Sequence, residues 1–87
     1  MHRPKVNTMF RGTFDHDAFE HVCAELGKLG DVYSSMCSVE SATTIAMASL
    51  HTCSSVEDVE AVMRAVLGES ATELTVSREN ANAEACL

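Results

Sequence analysis

The sequence predicts an α+β domain of ferredoxin-like type, a βαββαβ two-layer sandwich with two helices on one face of a four-stranded antiparallel sheet. Three observations predict it. Two apolar stripes recur with helical period, Phe19, Val22, Cys23, Leu26, Leu29 and then Val56, Val59, Val62, Met63, Val66, Leu67. Each stripe ends at a glycine and gives way to a run with strand period. The two halves of the chain therefore repeat one plan: strand, acid-capped helix, glycine, strand.

The first strand is read in Lys5–Phe14, where Val6, Thr8 and Phe10 alternate with Asn7, Met9 and Arg11. Asp15 or Asp17 caps the helix that follows, because a carboxylate there satisfies free amides and suits the positive end of the helix dipole. Gly30 is expected just past its end, in the left-handed conformation. A hairpin comes next, Val32–Val39 and Thr43–His51, turning at Glu40, Ser41 and Ala42. Ser41–Leu50 can also be drawn as a helix, since Ala and Met are good helix formers, and a small all-α domain is the alternative fold. Ser54 and Glu57 fit a capping box at the start of the second helix. Gly68 ends that helix, and Ala71–Arg78 alternates as the last strand. Residues 1–78 are thus expected to form a single α+β domain, and 79–87, polar and rich in Ala and Asn, a flexible C-terminal tail.

Composition narrows the function. The chain of 87 residues has no Trp and carries a net charge of −7, with Arg3, Lys5 and Arg11 preceding every acid. An acidic body repels phosphate backbones, which argues against direct nucleic-acid binding. No run of about 20 apolar residues is present to span a membrane. Lacking the apolar core of a secretory signal, the chain is expected in the cytoplasm, with Cys23, Cys37, Cys53 and Cys86 as reduced thiols.

A two-layer sandwich leaves one sheet face open. With the hairpin symmetric about Ser41, Asp31 lies opposite His51, Tyr33 opposite Ser49, Ser35 opposite Met47, and Cys37 opposite Ile45. Met9, Tyr33, Cys37, Ile45 and Met47 then line the open face, while Val32 and Met36 turn toward the helices. A slip of one residue exchanges the two faces. The open set is too apolar for free solvent and too poor in charge for a nucleic-acid platform, so it predicts a protein interface.

Residue types that carry chemistry are present but scattered. His21-Val22-Cys23 and His51-Thr52-Cys53 both read His-x-Cys, and imidazole and thiolate are metal ligands. Residues two apart on a helix point roughly 200° apart, so His21 and Cys23 cannot grip one ion. His51 and Cys53 are the metal candidates, and two ligands are half a site. Asp17 with His21, and His16 with Glu20, share helix faces at a spacing of four, where a surface ion pair is the ordinary outcome. Asp31 opposite His51 offers an orienter and a base without an evident nucleophile. Gly27-Lys28-Leu29-Gly30 ends a helix and so presents no amides to a phosphate.

No catalytic residue and no cofactor follow from these patterns. The expected function is a non-catalytic, homodimeric protein-interaction or regulatory module acting through its open sheet face or an edge strand, with a protein partner. Two alternatives stand beside it. One is a small-ligand or metal-sensing domain. The other is an acidic inhibitor that mimics nucleic acid, with Glu57, Asp58, Glu60, Glu69 and Glu73 supplying the charge.

Overall fold

A computed structural model describes residues 4–79. The order is β1 (Lys5–Gly12), α1 (His16–Gly27), β2 (Asp31–Glu40), β3 (Thr43–His51), α2 (Val56–Leu67), a 3₁₀ turn (Gly68–Ser70) and β4 (Ala71–Arg78). The strands form one antiparallel sheet in the order β2-β3-β1-β4. This is the predicted βαββαβ sandwich. Residues 43–51 are a central strand, which excludes the all-α alternative. The tail read over 79–87 lies, from residue 80 on, outside the described residues.

The two central strands obey period two. Val6, Thr8, Phe10 and Gly12 of β1, and Thr44, Ala46, Ala48 and Leu50 of β3, are buried. They meet Phe19, Val22 and Leu26 of α1 and Val59, Met63 and Leu67 of α2 in one core. Ala46 and Ala48 are small, which makes room for bulkier side chains from the helices. Phe10 anchors one end of this core, its ring 5.5 Å from that of Phe14 and 6.2 Å from that of Phe19.

The caps follow from local chemistry, with two corrections. Asp15 caps α1 by accepting the Ala18 amide at 2.8 Å. On α2 the cap is Ser55, which accepts the Asp58 amide at 3.1 Å; Ser54 instead donates its own amide to Thr52 Oγ1. Ser55 is the residue with extended backbone directly before the helix, so the cap falls one position later than a Ser54 box. Gly30 is not left-handed, since among the described glycines only Gly68 has a positive φ. It is required for close approach: a Cβ there would overlap the His51 carbonyl oxygen.

Candidate functional site

The face of the sheet turned away from the helices is built by the same alternation that fills the core. On β1 it displays Lys5, Asn7, Met9 and Arg11; on β3, Ile45, Met47, Ser49 and His51. The decisive strand is β2. Its hairpin turns on Ser41 and Ala42, both with positive φ (48° and 67°), which is a two-residue turn made without glycine. A two-residue turn centres the hairpin between Ser41 and Ala42, and Glu40 pairs with Thr43, Met36 with Met47, and Cys37 with Ala46.

That half-residue offset corrects the predicted register. From Ser34 to Glu40 every side chain changes face. Cys37, expected on the open face, lies opposite buried Ala46 on the helix side, where its Sγ meets His16 of α1. Met36, expected against the helices, lies opposite Met47 on the open face and is 64% exposed. A bulge at Tyr33 absorbs the extra residue and restores the predicted pairings of Asp31 with His51 and Val32 with Leu50. Tyr33 stays on the open face because the bulge sets its ring on His51, with centroids 4.4 Å apart. Met9, Ile45 and Met47 are therefore where the alternation predicts them, whereas Tyr33 reaches the same face through the bulge and not opposite Ser49, which pairs with Ser34.

The result is an ordered surface. Met36, Met47 and Met9 are direct cross-strand neighbours, with Thr75 of β4 completing the row. Met9 and Met47 are 53% and 40% exposed. Polar rows flank this band. On one side Ser34, Ser49, Asn7 and Ser77 run across the sheet, and Ser49 donates to Asn7 Oδ1 at 2.8 Å. Beyond them stand Asp31, His51 and Lys5, the Lys5 ammonium 6.0 Å from the centre of the Tyr33 ring. On the other side Arg11 and Glu73 face each other across β1 and β4 at 3.7 Å. Met9, Arg11, Ile45, Glu73 and Thr75 rim a depression of about 50 Å³.

The remaining candidates separate. His51 stands on the open face, but Cys53 is disulfide-bonded. This corrects the expectation of four reduced thiols and withdraws Cys53 as a metal ligand, since a disulfide sulfur is not a thiolate. Sequence gives the number of cysteines but not which of them approach within bonding distance. Cys23 and Cys37 are free. Among the described residues no three His, Cys, Asp or Glu side chains are placed to hold a metal. His21 pairs with Glu25 at 3.9 Å and not with Asp17, while His16 and Glu20 pair at 3.6 Å as their spacing predicts. The acids of α2 have local explanations: Glu57 and Asp58 occupy its first turn, and Glu60 accepts from Arg64 at 2.9 Å. No helix among the described residues is long and apolar enough to cross a membrane.

No protein-family model matches the chain, and no curated protein matches it either. A solved structure shares the fold: the ACT domain from the GTP pyrophosphokinase of Chlorobium tepidum, with a TM-score of 0.55 over 86% of this chain and 96% of that one. Identity between the two is 8%, so the likeness is one of fold.

Proposed function

We propose that this chain is a non-catalytic interaction module of regulatory type that pairs with a second copy of itself through the open face of the sheet. The observation that supports this reading is the row Met36, Met47, Met9 across the middle of that face. Three unbranched thioethers make an apolar, adaptable band of the kind found at protein contacts.

Charge favours a second copy as the occupant. The chain carries −7 overall, yet the open face holds Lys5 and Arg11 against Asp31, Glu40 and Glu73, two cations against three anions. Most of the other acids stand on the helices and loops. Two copies meeting face to face thus keep their like charge at a distance, and the paired Arg11 and Glu73 enter nearly neutral. Size is sufficient for a modest dimer. Four strands ~4.8 Å apart and about eight residues long at ~3.3 Å each give roughly 500 Å² per copy. Two such faces bury about 1,000 Å², the lower bound for a specific interface. The fold shared with an ACT domain of a larger enzyme supports an accessory, regulatory role.

Met47→Lys tests the proposal by placing a charge at the centre of the band. Light scattering should show a dimer for the parent chain and a monomer for the variant, with the helical circular dichroism unchanged. A variant that keeps the parent's mass, confirmed by the same result for the more exposed Met36→Lys, would overturn it.

A further inference from the structure

Val, Ile and Thr are the side chains that favour a pleated surface. At the centre of the open face this chain instead sets Met36, Met47 and Met9 as direct cross-strand partners on β2, β3 and β1. All three are exposed, Met36 the most and Met47 the least. Met63, the remaining methionine among the described residues, is fully buried in the core. The methionines thus divide into one beyond the reach of solvent and three side by side where a dissolved reagent meets them. Cross-strand partners on one face stand about 4.5–5.5 Å apart at Cβ, so the three thioethers make one continuous surface. A thioether is apolar and adaptable, but peroxides oxidise it to a sulfoxide, which is polar. A sulfoxide in the middle of the row keeps its full hydration only while the face is open to water. Packing a second copy on that face takes the water away.

We propose that this row is a peroxide-sensitive modification site, at which sulfoxide formation on Met36, Met9 and Met47 releases the second copy. The inference rests on the open-face dimer proposed above. The oxidant is a hydroperoxide, ROOH. A sulfur lone pair attacks the outer peroxide oxygen. An S–O bond forms as the O–O bond breaks, and RO⁻ leaves and takes the hydroxyl proton as ROH. Sulfur loses two electrons and the peroxide gains two, so one thioether and one ROOH give one sulfoxide and one ROH. The dissociated chain is the form that reacts, because pairing covers the row. Oxidation and pairing therefore oppose each other: a second copy protects the thioethers, and sulfoxides disfavour the second copy. Within the free chain the order of reaction follows exposure, Met36 before Met9 before Met47.

The test treats the full chain with hydrogen peroxide, locates added oxygen by peptide mass spectrometry and reads the dimer dissociation constant from a dilution series. Sulfoxides should form at Met36, Met9 and Met47 while Met63 stays unreacted. A polar group buried without its full hydrogen bonding should raise the dissociation constant roughly 10-fold or more. The free thiols Cys23 and Cys37 meet the same peroxide. A chain carrying Met9→Leu, Met36→Leu and Met47→Leu separates their effect, since it should pair as the parent does and keep pairing after treatment. If leucine disturbs the fold, the parent alone decides by rate: Met47 should gain oxygen more slowly where the dimer dominates than where the monomer does. A parent that is monomeric before treatment, or a Met47 rate that ignores concentration, overturns the interface and this inference with it. A dimer that survives with all three sulfoxides formed, or a leucine chain that dissociates equally on treatment, overturns the oxidation switch alone.

Discussion

Thr52 joins three segments that no helix or strand connects. It is fully buried at the end of β3. Its Oγ1 donates to the Leu29 carbonyl at 2.7 Å and accepts the Ser54 amide at 3.0 Å, while its own amide donates to the Pro4 carbonyl at 3.0 Å. One hydroxyl therefore fixes the loop after α1 to the loop before α2. Thr52→Val keeps the shape and removes both side-chain hydrogen bonds, leaving an N–H and a C=O without their partner. Each such loss costs about 1–3 kcal/mol when the group cannot reach water. Both groups are partly shielded, so the sum is about 2–4 kcal/mol. Thr52→Ser keeps both bonds and loses one methyl, about 1 kcal/mol. Urea unfolding followed by circular dichroism separates the two at fixed protein concentration, which holds any self-association constant. With a slope near ~1.3 kcal/mol per molar urea, the midpoint should fall by about 2 M for Val and about 1 M or less for Ser. A Val variant as stable as the Ser variant would refute the claim that the hydroxyl, rather than the shape, locks these loops together.

Other consequences follow the same reasoning. Gly12→Ala should prevent stable folding, because a Cβ there overlaps the Ser70 carbonyl oxygen, itself bonded to the Thr13 amide at 2.9 Å; a cooperative unfolding curve near the parent's would contradict it. Met63→Ala, at a fully buried site of α2, should cost about 2–5 kcal/mol in the same urea experiment, a large share of a small domain's stability. The Glu25 carboxyl is held below its usual range, first by the Lys28 hydrogen bond at 2.8 Å. A lowered folded pKa means the pair stabilises above the ordinary carboxylate range and is lost as pH falls through the lowered value. Glu25→Gln should therefore flatten the acid side of the stability profile and leave stability unchanged at the most acidic pH, read as thermal midpoint against pH.

The element order was legible because the apolar period and the acidic first turns mark both helices, although the cap of α2 falls at Ser55 rather than Ser54 and Gly30 is not left-handed. Phe19, Val22 and Leu26, and Val59, Met63 and Leu67, are the buried faces their spacing predicts. The open face was half legible. Alternation alone placed Met9, Ile45 and Met47, since β1 and β3 run without a bulge between them. It misplaced Met36 and Cys37 because the turn carries no glycine or asparagine to mark its two central residues. Ser41 and Ala42 adopt a conformation their side chains do not advertise. The bulge at Tyr33 has no sequence signal either. It is the structural answer to a conflict between the turn's register and the burial of Val32 against Leu50. The contact between His16 and Cys37 was hidden for the same reason, since it exists only in the shifted register.

The most direct test of the open-face account is a native mass spectrum of the parent chain over a dilution series. The account predicts a dimer at high concentration that dissociates on dilution, as suits an interface of about 1,000 Å². A monomer at every concentration would contradict it, leaving the methionine row without the partner proposed for it.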